Sequence, residues 1–137
     1  MSNLTCPSGP GPVRFLKGLE LFNRKEYFEC HEVIEDLWLK TPENDPNRDL
    51  YKGVIQAAAA IYQWDRGIIS GARGLYRTSV IYLEKYRPEA LGLNTKKLIL
   101  DMKALFADLE PWDGRSAVGR NEKLTPVLEY SCHPRNL

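Results

Sequence analysis

Apolar residues recur along this chain at intervals of three and four, and short polar breaks cut the recurrence into five helical stretches. Phe15, Leu16, Leu19 and Phe22 mark the first, which is expected to begin near Val13 and to turn at 23–25. The second, about 26–39, carries a broad apolar arc of Tyr27, Cys30, Val33, Ile34, Leu37 and Trp38. Two prolines and several turn formers in 41–49 end it. The third, about 50–66, is apolar around most of its circumference and is expected to be the most buried. Gly53, Ala57 and Ala60 leave one side of it without bulk, open to close approach by another helix, with Lys52, Gln56 and Gln63 beside that stripe. Gly67 stops it.

A fourth helix, 68–86, shows the stripe Ala72, Leu75, Tyr76, Ser79, Tyr82, Leu83 and Tyr86, with Arg73, Arg77 and Glu84 on its solvent side. Pro88 closes it. Leu98, Met102, Leu105, Phe106 and Leu109 define a fifth over 95–109. Beyond Pro111 no period is sustained, so 110–137 reads as an extended C-terminal tail packed on the domain and tacked down by Trp112, Val127, Leu128 and Tyr130. Residues 1–12 read as an irregular lead-in, with Pro12 suited to the first turn of a helix. The pattern predicts an all-α fold and no β-strand: two antiparallel helical hairpins with a fifth helix, one helical domain over 13–109.

The polar residues that break the second helix's apolar arc carry the chemistry. His31 and Glu35 fall inside the arc, whereas Glu29, Glu32 and Asp36 gather opposite. Polar groups in such a place need partners. Four residues apart, His31 and Glu35 project from one face and would be candidate ligands for a divalent metal. The H-E-x-x-H pattern of metal-dependent hydrolases is incomplete, however, because Glu35 stands at the second histidine's place. Glu32 would then hold the general-base position. A second reading is a binding or scaffold site for a small molecule or peptide, built from His31, Glu35 and Gln56 with Tyr27 and Trp38 as its surround. A third is a buried network locking the helices in register, for which His31→Ala or Glu35→Ala would cost several kcal/mol.

Composition narrows the setting. A chain of 137 residues, 43% hydrophobic and 27% charged, is the size of one domain with its own core. A net charge of +1 supplies no field to recruit nucleic acid or an anionic membrane. No stretch reaches the roughly 20 apolar residues of a membrane span. Cys6, Cys30 and Cys132 are odd in number and lack C-x-x-C spacing, which suits reduced thiols and a cytoplasmic address. Cys132, His133 and Cys6 would bind zinc only if both termini met. The small-residue stripe of the third helix, with exposed aromatics, would suit a homodimer.

Two resemblances rest on these residues. The spacing of Gly18, Tyr27, Cys30, Ile34, Leu37 and Pro42 resembles a tetratricopeptide hairpin, with a fainter echo through Ala60, Gly67, Ala72, Tyr76 and Ser79. H-E-x-x-E-x-x-W, at His31, Glu32, Glu35 and Trp38, joined to G-x-x-Q-x-A, at Gly53, Gln56 and Ala58, resembles the small all-helical family catalogued as domain of unknown function 309. That likeness covers about 16–86 and implies an all-α domain of unassigned biochemistry.

Overall fold

The computed structural model describes residues 10–131. Cys6, Cys132 and His133 lie outside the described residues, so the zinc reading that needs them has no geometry here. Five α-helices follow in order: α1 (Pro10–Asn23), α2 (Tyr27–Leu39), α3 (Arg48–Asp65), α4 (Ile69–Glu84) and α5 (Thr95–Phe106), then single 3₁₀ turns at Ala107–Leu109 and Glu122–Leu124. Among the described residues there is no strand, only isolated bridges from Leu93 to Ala90 and Tyr130. The first helix starts three residues before the expected Val13. Pro10 and Pro12 cause no conflict there, because the first turn has no use for their missing N–H groups.

Local signals set the breaks. At the α1–α2 turn Lys25 adopts a left-handed φ of 64°, while Arg24, Lys25 and Glu26 N–H groups cap the last carbonyls of α1. Gly67 takes φ +79° after α3, and Gly67 and Ile68 donate back to Trp64 and Gln63 at 2.9 Å each. Asn94 caps α5 through its side chain to the Lys97 amide.

Helices pack in sequence: α1 on α2, α2 on α3, α3 on α4 and α4 on α5. Two glycines allow the closest approaches. A Cβ on Gly18 would collide with the Ile34 side chain, and one on Gly53 would stand 2.8 Å from Leu83. At the second crossing the buried Ser79 hydroxyl donates to the Gly53 carbonyl at 2.7 Å. The small-residue stripe of α3 is therefore covered by α4 within the chain, and it offers no surface to a second copy. Phe106 ties the far side together, parallel to Tyr76 at 4.5 Å and tilted on Trp64 at 4.9 Å.

Trp112, Leu128 and Tyr130 of the tail pack against the core as expected, and hydrogen bonds hold it as well. Asn23 donates from Nδ2 to the Leu128 carbonyl at 2.9 Å and accepts the Leu128 N–H at 2.6 Å. Trp64 Nε1 donates to the Val118 carbonyl at 2.6 Å. Arg120 forks onto Asp65 at 2.7 and 3.2 Å and reaches Thr125. Leu128 is buried as expected, but Val127 points out at 56% exposure, and its carbonyl serves Lys97 instead. Arg73 and Arg77, expected only to solvate α4, bind the Glu110 carbonyl and carboxylate and so fasten the turn after α5. No helix among the described residues is long and apolar enough to cross a membrane.

Candidate functional site

Side chains on one face of α2 meet α3 along its length. Phe28 packs on Tyr62 with ring centroids 5.4 Å apart, and Trp38 meets Lys52, whose ammonium lies 4.1 Å from the indole centroid. The helices are therefore antiparallel, each step along α2 matching a step back along α3. His31 falls opposite Ala59 and Gln63.

Between the two helices lies a cavity of about 110 Å³ lined by Phe28, His31, Ala59, Tyr62 and Gln63. Phe28 stacks on the imidazole at 6.1 Å with an interplanar angle of 30°. Two polar atoms in this lining, His31 Nδ1 and Gln63 Oε1, are buried without a hydrogen-bond partner among the described residues. The other imidazole nitrogen faces Glu35, with Nε2 3.8 Å from Oε1. That is an electrostatic contact and too long for a hydrogen bond. Glu35 is 41% exposed, so water screens the contact.

The expected site residues divide accordingly. His31 and Glu35 do stand together on the α3-facing side of α2. Gln56 is not their partner, because its amide oxygen accepts the Thr78 hydroxyl of α4 at 2.5 Å. Tyr27 faces away, buried edge-on against Phe22 and beneath Arg120. Trp38 lies at the other end of the face under Arg48 and Lys52, and its indole N–H is buried without a partner among the described residues. Glu32 is exposed. Sequence reasoning passed over Phe28, Ala59, Tyr62 and Gln63 as site residues. The signal was present for Phe28, one helical turn before His31, while the α3 residues depend on a register that periodicity does not encode.

The metal reading requires three or more protein ligands. Among the described residues no group of three His, Cys, Asp or Glu side chains is placed to hold an ion. His31 and Glu35 thus have no third ligand among the described residues, and those residues do not fit a catalytic metal. Cys30, also on α2, is fully buried, and burial pushes its thiol up to about 12, which makes it a poor nucleophile. What the arrangement offers is a small, aromatic-walled space with hydrogen-bonding atoms and an acidic neighbourhood. From Tyr27 to Leu39, α2 carries Glu29, Glu32, Glu35 and Asp36 and no lysine or arginine.

Comparison with known proteins gives the chain a place. The model of a family described as "Domain of unknown function (DUF309)" matches residues 15–75, which span α1 to the first half of α4 and hold every residue lining the cavity. The chain is also 29% identical over 122 residues to the uncharacterized protein YpuF of Bacillus subtilis (strain 168), an alignment covering 85% of this chain and 70% of that protein. Both similarities point to the DUF309 family, to which the chain is similar over residues 15–75 and whose description assigns no biochemical function.

Proposed function

We propose that this domain is a binding module whose site is the cavity between α2 and α3. One observation carries the reading: two buried polar atoms, His31 Nδ1 and Gln63 Oε1, line the same cavity and have no partner among the described residues. A fold keeps such atoms at a cost of about 1–3 kcal/mol each unless something else satisfies them. Aromatic walls with a few convergent polar groups are the usual make-up of a small-ligand site. Phe28, 43% exposed at the rim, gives an occupant an entry from solvent.

The site sits in a tetratricopeptide-like stack, α1–α2 on α3–α4, whose concave side would admit a small molecule or a side chain presented by a peptide. The balanced net charge argues against nucleic acid, and the cysteine content suits the cytoplasm. A homodimer would have to use exposed residues such as Ile81 and Leu100 rather than the covered stripe of α3.

The test is a panel of small polar fragments titrated into labelled protein, with the backbone amides of Phe28, His31, Ala59, Tyr62 and Gln63 as reporters. Saturable shifts confined to these residues, weakened in Phe28→Ala without loss of fold, are expected. A panel that leaves them all unmoved would remove this reading.

A further inference from the structure

We infer that the group this cavity takes is a primary ammonium, seated between the imidazole Nδ1 and the Gln63 carbonyl oxygen with the Phe28 and Tyr62 rings as walls. The inference rests on the binding reading above and names its ligand class.

The first argument is hydrogen-bond polarity. Nε2 is the imidazole nitrogen that faces a carboxylate, 3.8 Å from Glu35 Oε1, and the field of that carboxylate favours the tautomer with its N–H on Nε2. Nδ1 is then a bare acceptor. Gln63 Oε1 is an acceptor by nature, and it lines the same cavity. Two acceptors in the lining of one space call for a donor there. A carboxylate, phosphate or ketone would set lone pair against lone pair, whereas an ammonium brings three donors.

Charge and ring geometry point the same way. Ring faces attract cations within about 6 Å, and Phe28 and Tyr62 both line the cavity. Beside His31 α2 is acidic, with Glu32 exposed, Glu35 partly so, and no lysine or arginine on the helix. The cation at this end of α3 is Arg66, and it is engaged: its guanidinium lies 5.5 Å from the Tyr62 ring centroid, and Nη1 donates to the Tyr62 hydroxyl at 3.2 Å. Lys52 and Arg48 are drawn to Trp38 at the other end. Size limits the ligand further. At about 110 Å³ the space is smaller than the roughly 150 Å³ cavity that accepts benzene, so it suits an alkylammonium end and excludes a fused ring.

The experiment titrates n-propylammonium chloride, n-propanol and sodium propionate at matched ionic strength into labelled full-length protein, following the Phe28, Ala59 and Gln63 amides. Propylammonium is expected to give saturable shifts in the millimolar range, as befits about four non-hydrogen atoms. Propanol should bind roughly tenfold more weakly or worse and propionate not at all, and Gln63→Leu should weaken propylammonium by roughly tenfold or more. Phe28→Ala, at a half-exposed position, should weaken it too while leaving the rest of the spectrum unchanged. Nα-acetyl-lysine N-methylamide then separates the sources: a response to both amines assigns a lysine side chain of a peptide, and a response to propylammonium alone assigns a free small amine. Equal or stronger binding of propanol or propionate overturns the ammonium assignment and leaves the binding module standing. Silence from all three probes, with fragments of the panel still binding at the cavity, overturns it too, whereas silence from probes and panel alike removes the binding reading itself.

Discussion

At the scale of single residues, the distinction that matters is between polar groups that hold the fold and polar groups that the fold tolerates. The buried Ser79 hydroxyl belongs to the first kind, since its bond to the Gly53 carbonyl fixes the closest helix crossing. The His31–Glu35 pair belongs to the second. Its members are 3.8 Å apart and Glu35 is 41% exposed, so Glu35→Ala is expected to lower stability by no more than about 1 kcal/mol. A loss of several kcal/mol in a denaturant melt would restore the structural network. Gly18 makes the opposite case. With the Ile34 side chain where a Cβ would go, Gly18→Ala should destabilise by about 1–3 kcal/mol, and in a double-mutant cycle the same change should cost less in an Ile34→Ala background, where the contested space is empty.

Helices are the level at which the sequence was most legible. All five were marked by periodicity and by Gly67 and Pro88, because a stripe at helical spacing needs only local information. Relations between helices were not so marked. Gln56 and Gln63 share a side of α3 roughly two turns, about 10 Å, apart, and the offset of α2 against α3 decides which of them meets His31. Tyr27 and Phe28 are neighbours, and one rotation of α2 buries the first in the core while giving the second to the cavity. The clamp between Asn23 and Leu128 joins residues 105 positions apart and leaves no periodic trace. That clamp is open to test. Asn23→Ala removes both of its bonds and should cost about 1–3 kcal/mol, with faster hydrogen exchange at Leu128 while the amides of α3 keep their protection. Unchanged exchange at Leu128 would show that the tail is held elsewhere.

For the molecule as a whole, alkaline pH is the weak direction. Burial pushes the Cys30 thiol up to about 12 from its ordinary 9.0, and burial likewise raises the Tyr27, Tyr51 and Tyr76 phenols above their ordinary 10.0. The folded chain therefore keeps protons that the unfolded chain releases, and stability falls as pH climbs from about 9 toward 12. A midpoint of thermal unfolding lower at pH 10.5 than at pH 7.5 is expected, and Cys30→Ala should reduce the difference. An equal or higher midpoint at pH 10.5 would be incompatible with these buried groups.

The same whole-molecule quantity bears on the central claim, that the polar lining between α2 and α3 is kept for an occupant and not for the fold. His31→Leu together with Gln63→Leu replaces both unpartnered groups with apolar ones of similar size. In calorimetry of the double variant beside the parent, the midpoint should stay level or rise, since removing unpaired buried polar atoms is neutral or stabilising. A fall of more than roughly 5 °C, which is about 1–2 kcal/mol for a chain of this length, would mean that the fold depends on those atoms, and would contradict the account.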